Sequence, residues 1–247
     1  MKAPPEAPRF FTEHRLSVGE ELTLEPAVAR HMLSALRLKA GAAVRLFNGR
    51  GGEYLGTITS ADRRSVCVSL DAFNADERES PLAITLGLCV SRGDRMDYAL
   101  QKSTELGVTA IVPLFSQRAE LRLEGDRLIK KQRHWQQVVV SACEQCGRNR
   151  LPTLKDAQPL DTWVAESDSA LKLVLHPRSQ CSLRDYPQTP DSVALLIGPE
   201  GGLAEEEIAL AQKLGFSALT LGPRVLRTET APVAAVSLLQ HVWGDLS

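Results

Sequence analysis

The stretch Leu195–Ala231 reads LLIGPEGGLAEEEIALAQKLGFSALTLGPRVLRTETA and joins two short apolar runs to two glycine turns. Val193–Ile197 predicts a buried strand that runs into Gly198–Gly202, and Ala218–Leu221 predicts a strand that ends at Gly222-Pro223. Open α/β sheets usually bind small ligands at the carboxyl ends of their strands. Glycine there leaves main-chain N–H and C=O groups free to approach a ligand, so both turns are predicted to form a binding edge.

Alternating strand and helix patterns extend from this stretch over the chain beyond Leu82. The predicted strands and helices are Leu82–Val90, Asp97–Leu106 (helix), Val108–Leu114, Asp126–Cys146 (helix), Leu171–Leu175 and a last helix from about Ala231 to Trp243. Such alternation favours an α/β fold with a largely parallel sheet covered on both faces.

Residues 1–72 show a different pattern, which predicts a small, mostly β domain with one helix. Pro26–Leu38 has helical spacing, while Ala43–Phe47, Glu53–Thr59 and Ser65–Leu70 read as strands. A compact barrel is expected. The polar stretch Asp71–Ser80 precedes Pro81 and predicts a linker, so the expected boundaries are 1–72, 73–80 (linker) and 81–247.

Composition narrows the class of protein. With 43% hydrophobic and 24% charged residues, the 247-residue chain is typical of a globular protein, and no apolar run is long enough for a membrane helix. The N-terminus lacks the apolar segment of a signal peptide, so a cytoplasmic protein without membrane contact is expected. The only closely spaced cysteines, Cys143 and Cys146, have no second Cys/His pair at metal spacing, so no metal site is expected.

The charge is unevenly distributed. The net charge of −1 excludes a uniformly basic nucleic-acid binder, but Arg118–Lys155 holds nine Lys/Arg residues and four acidic residues. A local basic surface of this kind is typical of a phosphate-contacting face, although a solvated helix face has the same composition.

Known phosphate motifs are absent from the sequence. It contains neither GxxxxGK[ST] nor GxGxxG, and Glu200 in the first glycine turn would repel a phosphate. A nucleotide-like ligand without a polyphosphate, such as S-adenosylmethionine, suits these turns better.

The motifs IGPEGG and LGPRVLRTETA, in this order and at this separation, resemble the C-terminal signature of the SPOUT methyltransferases. More narrowly, they resemble the bacterial enzymes that methylate N3 of one uridine in 16S ribosomal RNA. The resemblance extends to SRGDRMDYALQKSTELGV (91–108), CEQCGRNR (143–150) and LHP (175–177), and so covers nearly the whole chain.

This resemblance implies a PUA-like RNA-binding domain at the N-terminus and a SPOUT α/β domain with a deep trefoil knot. The knot runs against the general rule that chain connections are unknotted. The implied activity is S-adenosylmethionine-dependent methylation of a U1498-type uridine near the decoding centre of the small ribosomal subunit. The implied partners are 16S rRNA or the 30S subunit and a second copy of the chain in a homodimer.

The resemblance also implies which residues bind S-adenosylmethionine. They are Leu175, His176, Pro177, Ile197, Gly198, Pro199, Glu200, Gly201, Gly202, Leu221, Gly222, Arg224, Val225, Leu226, Thr230 and Ala231.

Arg227 and Glu229, in LRTETA before the last helix, are the candidate catalytic residues. Methyl transfer to N3 requires loss of the imide proton, which a carboxylate can accept and a cation near the uracil carbonyls can favour. A structural ion pair explains these two residues equally well, and the sequence does not separate the two roles.

The candidate RNA contacts are Arg9, Arg37, Arg50, Arg118, Arg122, Asn149 and Arg150. For each arginine a solvated surface position is an alternative, and for Asn149 and Arg150 so is capping of the preceding helix.

Three other functions stay open at this point. They are methylation of a ribose 2′-oxygen, a non-catalytic RNA-binding role on the same fold, and a small-molecule α/β enzyme whose N-terminal domain serves only oligomerisation.

Overall fold

The computed structural model describes residues 7–246 except 63, 122, 177–178, 180 and 187. The chain divides into two compact units. The first comprises Met1–Glu79 together with Cys143–Leu151, and the second comprises Ser80–Ala142 and Pro152–Ser247.

The first unit is built on one sheet. Its described strands are β1 (Arg9–Phe11), β2 (Glu21–Thr23), β3 (Ala43–Phe47), β4 (Glu53–Asp62) and β5 (Ser65–Asn74), in the order β1-β3-β4-β5-β2. β1 runs parallel to β3, and the other pairs are antiparallel. Alternate side chains of the long strands, such as Val66, Val68 and Leu70, point into an apolar core.

The helix of this unit is shorter than predicted. Helix α1 spans Pro26–Arg30 and continues as a π-helical turn over His31–Ala35, instead of reaching Leu38. Arg37 follows with a φ of +53°, a left-handed conformation that ends the helical path.

The boundaries of this unit differ from the predicted 1–72 and 73–80. β5 continues to Asn74, so the predicted linker begins inside a strand. The rest of that segment is hydrogen-bonded to residues from far along the chain: Asn149 donates to the Asp76 carbonyl oxygen at 2.9 Å, and Arg148 pairs with Glu79. These bonds explain why Cys143–Leu151 belongs to the first unit.

The second unit contains a parallel sheet. Its described strands are β6 (Ala83–Cys89), β7 (Ala110–Phe115), β8 (Thr153–Leu154), β9 (Gln158–Pro159), β10 (Leu171–Leu175), β11 (Ser192–Ile197) and β12 (Ser217–Leu219). The order is β12-β10-β11-β6-β7-β8, with β9 also paired to β7, and every pair is parallel.

Helices cover both faces of this sheet. They are α2 (Asp94–Glu105), α3 (Gly125–Cys146, of which 125–142 lie in this unit), α4 (Leu160–Glu166), α5 (Glu205–Lys213) and α6 (Thr230–Trp243). Successive residues of β11 point to opposite faces: Leu195 packs in a core with Trp135 and Leu239, whereas Leu196 packs in a core with Trp163. The predicted α/β class is therefore confirmed, and the trefoil knot stays a prediction.

The register of the sheet places several loops at one edge. β11 lies between β10 and β6, with Ile197 opposite Leu88, and Leu175 of β10 lies opposite Leu219 of β12. The segments that follow these four strands therefore leave the sheet at its carboxyl edge, where both glycine turns begin. Within the described residues, none of the helices is long and apolar enough to cross a membrane.

Candidate active site

A cavity of about 700 Å³ lies at this carboxyl edge. Three segments of the second unit form most of its wall: residues 175–176 after β10, 197–205 after β11 and 220–231 after β12. The volume lies within the range of about 300–1,000 Å³ typical of small-molecule sites. Both glycine turns predicted from Leu195–Ala231 contribute main-chain atoms to the same cavity.

The first glycine turn, Gly198–Gly202, favours glycine at two positions. The Gly202 N–H donates to the Pro199 carbonyl oxygen at 2.9 Å, and Gly202 has a φ of +69°, which favours glycine. At Gly198 an added Cβ would lie 3.2 Å from the backbone nitrogen of Leu203. The turn therefore folds tightly back on itself and presents its backbone to the cavity.

Glu207 fixes the start of α5 beside this turn. Although Ala204 offers no side-chain cap, Glu207 Oε2 accepts a hydrogen bond from the Ala204 N–H at 2.8 Å. Its other oxygen accepts from the Gln117 N–H at 2.8 Å, which ties the loop after β7 to the same place. Arg118, which follows Gln117 in the chain, donates to the Gly201 carbonyl oxygen at 3.4 Å and lies on the cavity wall.

The segment after β12 is attached to the first turn. Thr228 Oγ1 donates to the Gly198 carbonyl oxygen at 3.1 Å. The Arg227 carbonyl oxygen accepts from the N–H groups of Thr230 and Ala231, which begins α6. This arrangement places both candidate catalytic residues, Arg227 and Glu229, on the cavity wall.

Glu200 is the most strongly bonded acid of the cavity. Its Oε1 accepts from the Arg92 N–H and from Arg95 Nη1, both at 3.1 Å. Burial opposes ionisation, but the backbone N–H groups of Glu200 and Arg92 and the Arg95 guanidinium outweigh it and lower the pKa of Glu200. Its Oε2 is buried and has no hydrogen-bond partner among the described residues.

The structure brings most of the predicted cofactor residues together. Fourteen of the sixteen line the cavity; Thr230 does not, and Pro177 lies outside the described residues. Several lining residues are not among those predicted from the sequence, namely Arg95, Leu203, Glu205, Ile208, Thr220 and Thr228, and Arg118 was predicted to contact RNA. The signal for Arg95 is its position in the first turn of α2, the helix that comes after β6 in the chain.

Two of the predicted RNA contacts are corrected by the structure. Arg9 and Asn149 are only 7% and 2% exposed, so neither side chain is available to RNA. Arg9 instead donates to Glu53 Oε2 at 2.8 Å, to the Cys143 carbonyl oxygen at 2.7 Å and to Asn149 Oδ1 at 2.6 Å. A buried guanidinium of this kind holds Cys143–Leu151 against the sheet of the first unit.

The other predicted RNA contacts that the structure describes in the first unit are exposed. Arg37 and Arg50 are exposed in the first unit, and so is Arg150, whose guanidinium lies next to Gly51 in the loop that carries Arg50. Arg150 Nε is 3.6 Å from Glu77 Oε1, an exposed and weak ion pair. Arg122 lies outside the described residues.

The chain matches two family profiles. The RNA methyltransferase domain profile matches residues 78–240, and the profile of the RNA methyltransferase PUA domain matches residues 24–71. Together with the cavity at the carboxyl edge of a parallel sheet, these matches define the class: an RNA methyltransferase with an N-terminal PUA domain.

Comparison with individual proteins narrows the class. Ribosomal RNA small subunit methyltransferase E of Buchnera aphidicola subsp. Schizaphis graminum is 33% identical over 97% of this chain and 98% of its own length. A methyltransferase from Legionella pneumophila, solved with S-adenosylmethionine, is 42% identical with a TM-score of 0.96, covering 98% of this chain and 100% of its own. Ribosomal RNA small subunit methyltransferase E of Neisseria gonorrhoeae, solved with the same ligand, is 38% identical with a TM-score of 0.92 and the same coverage. The chain belongs to the ribosomal RNA small subunit methyltransferase E family, which confirms the resemblance found in the sequence.

Proposed function

We propose that the protein transfers the methyl group of S-adenosylmethionine to N3 of one uridine, of the U1498 type, in the 16S rRNA of the small ribosomal subunit. The observation that carries the proposal is the cavity itself: two glycine turns that follow different strands, β11 and β12, meet in one site that also holds Arg227 and Glu229. Relatives that match over nearly the full chain are named for this ribosomal subunit, and two solved relatives contain the cofactor.

The residues of the cavity fit an adenosyl cofactor. Backbone groups at Gly198–Gly202 and Leu221–Leu226 are suited to reading the edge of an adenine, and Leu175, Ile197 and Leu226 supply apolar wall. The unpartnered Oε2 of Glu200 can accept a hydrogen bond from a bound ligand. When bound, S-adenosylmethionine supplies an electrophilic methyl group on a sulfonium ion.

In this proposal, Arg227 and Glu229 carry out the proton chemistry at uridine N3. Glu229 precedes α6, where the helix dipole favours a negative charge, and its side chain is 23% exposed at the cavity. Its carboxylate accepts the N3 proton in this proposal. The Arg227 guanidinium, exposed on the same wall, stabilises the negative charge that develops on the uracil carbonyl oxygens.

RNA binding falls to exposed cations on both units. Arg37, Arg50 and Arg150 of the first unit contact phosphates in this proposal, and Arg118 at the cavity wall faces the target nucleotide. Because the target base must leave its stack to reach the cavity, contacts to the flanking backbone offset a cost of about a few kcal/mol.

We further propose a homodimer that acts in the cytoplasm, where ribosomal subunits are assembled. Its support is an exposed apolar stripe on and after α6, formed by Leu238 (41% exposed), Val242 (47%) and Leu246 (44%). Leu238 and Val242 are four residues apart and share one face of the helix. An apolar helix face of this kind is typical of a surface that a partner covers.

The decisive experiment incubates the protein with labelled S-adenosylmethionine and 30S subunits, then maps the modified nucleotide by mass spectrometry. One methyl group on N3 of a single uridine supports the proposal. A methyl group on a ribose 2′-oxygen would replace the proposed specificity, and no methyl transfer together with no cofactor binding in calorimetry would reject an enzymatic role.

The catalytic assignment is tested with Glu229→Gln and Arg227→Ala. Each is expected to lower the turnover rate about 10²–10⁴-fold, the usual contribution of a general base or charge stabiliser, with cofactor affinity retained. Glu206→Gln, an exposed acid of α5 that does not line the cavity, is the matched control and is expected to turn over normally. Near-normal turnover of both test variants would show that the assignment is wrong.

A further inference from the structure

Arg95 lies between two carboxylates of the cavity. Its Nη1 donates to Glu200 Oε1 at 3.1 Å, and its Nε is 4.0 Å from Glu229 Oε2. Glu200 belongs to the turn after β11, whereas Glu229 belongs to the segment that precedes α6. One guanidinium therefore faces acids from both of the glycine-containing segments.

The position of Arg95 follows from the order of the strands. β6 pairs with β11, so the residues after Cys89 and after Ile197 leave neighbouring strands at the same edge. Gly93, with a φ of +57°, turns the chain into α2 directly after Arg92. The Arg92 N–H then reaches the same Glu200 oxygen that Arg95 contacts.

Stability of the helix does not account for Arg95. A cation in the first turn of a helix is disfavoured by the helix dipole, and Arg95 is the second residue of α2. Its side chain is 45% exposed, and ion pairs at such exposure contribute little to stability. The contacts with the two cavity acids explain its position better.

We propose that Arg95 is a positioning residue that links Glu200 to Glu229 and so holds the proton-accepting carboxylate in place. This inference rests on the proposed function and deepens it. Arginine suits the role because its planar guanidinium offers several N–H donors in different directions, whereas lysine carries one compact charge.

A double-mutant cycle tests the link. Single-turnover methylation of 30S subunits is measured for Arg95→Ala, Glu229→Gln and the double variant, and again with Glu200→Gln in place of Glu229→Gln. Arg95→Ala is expected to slow methyl transfer about 10- to 100-fold in the native background, within the range of coupling between contacting residues. In either acid variant the same change is expected to cost less than about threefold, because the group through which Arg95 acts is already altered.

Three further readouts separate positioning from general damage. Arg95→Lys is expected to recover part of the rate, cofactor affinity measured by calorimetry is expected to stay within about threefold of the native value, and the melting temperature is expected to be unchanged. If the alanine variant folds poorly, Arg95→Gln replaces it in the cycle. Lys213→Ala, an exposed cation of α5 away from the cavity, is the control and is expected to react normally.

Independent losses that multiply in the double variants would overturn the inference, and so would coupling to Glu200 alone. A loss of cofactor affinity as large as the loss of rate would also overturn it. The proposed function is judged separately, by the nucleotide that the native protein methylates, so a failed cycle with a methylated uridine N3 rejects only the role of Arg95.

Discussion

Replacing Arg9 by alanine is expected to destabilise the first unit severely. The Arg9 side chain is 3% exposed, and it donates hydrogen bonds to Glu53, to the carbonyl oxygens of Cys143, Glu144 and Arg148, and to Asn149. Its guanidinium also lies 4.6 Å from the centre of the Phe47 ring. Alanine removes all of these contacts at once.

The expected magnitude follows from what is left behind. Glu53, whose side chain is 10% exposed, loses the guanidinium that lies 2.8 Å from its Oε2 and retains Arg45 Nη1 at 3.5 Å from its Oε1. Breaking a buried ion pair from one side typically costs about 3–5 kcal/mol. Since about 1.4 kcal/mol is a factor of ten, amide exchange that occurs by opening of this unit is expected to be roughly 10²–10⁴-fold faster.

Hydrogen exchange followed by mass spectrometry is the appropriate assay. The three tryptophans, Trp135, Trp163 and Trp243, all lie in the second unit, so their fluorescence does not report on the sheet that Arg9 supports. Exchange in peptides from β1 and β4 reports directly on this sheet. The double variant Arg9→Ala/Glu53→Gln removes the unpaired charge and is expected to recover part of the loss.

Arg50→Ala is the matched control, because Arg50 is an exposed arginine of the same unit, and its effect on stability is expected to stay within about 0.5 kcal/mol. Native exchange rates in Arg9→Ala, accompanied by weaker RNA binding, would refute this reasoning and restore Arg9 as an RNA contact.

Three further predictions concern charge, backbone and salt. Burial raises the pKa of Glu53, but the hydrogen bonds and charges of Arg9 and Arg45 outweigh burial, so the pKa of Glu53 is lowered from the ordinary 4.5. The stability that the ionised Glu53 contributes is therefore present above pH 4.5 and is lost as the pH falls through the lowered pKa. The free energies of unfolding of the native protein and of Glu53→Gln, measured in denaturant, are therefore expected to differ at pH 7 and to converge in acid. A difference that does not change with pH would contradict the pairing of Glu53 with Arg9 and Arg45. Gly202→Ala and Gly215→Ala, both at positive φ with open space around the new Cβ, are expected to lose about 1–2 kcal/mol each in denaturant unfolding, while calorimetry shows weaker cofactor binding only for Gly202→Ala. Equal cofactor affinities of the Gly202→Ala and Gly215→Ala variants would argue against Gly198–Gly202 as a binding element. Binding to 30S subunits is expected to weaken steeply with salt, with a shallower slope for Arg50→Ala than for the native protein, and a flat response would count against phosphate contacts.

The cavity was predictable because its determinants are local in sequence. Gly198–Gly202 and Gly222 carry their own turn geometry, and each directly follows an apolar strand, so the pattern indicates both the turns and their edge of the sheet. Arg95 was missed because its role depends on which strands are neighbours. Its partner Glu200 is 105 residues away, and only the pairing of β6 with β11 brings the two together.

Arg9 and Asn149 were misjudged for a related reason. An arginine near the N-terminus and an asparagine in GRNR have the composition of surface contacts, and a count of charges does not tell a solvated cation from a buried one. Their partners are 44 to 140 residues away. One local signal was available: Arg9 directly precedes two phenylalanines in a short strand, and Phe10 is buried.

The membership of Cys143–Leu151 in the first unit has a consequence for synthesis of the chain. As the protein leaves the ribosome, the strands of its N-terminal sheet emerge first. The Cys143 carbonyl oxygen and Asn149 Oδ1, which accept hydrogen bonds from Arg9, lie 134 and 140 residues later in the chain. The hydrogen bonds of Arg9 are thus completed only after residues 80–142, which belong to the second unit, have emerged. A fragment ending at Glu79 lacks these acceptors, so expression of residues 1–79 alone is expected to yield an unstable, protease-sensitive product, whereas co-expression with the rest of the chain restores it.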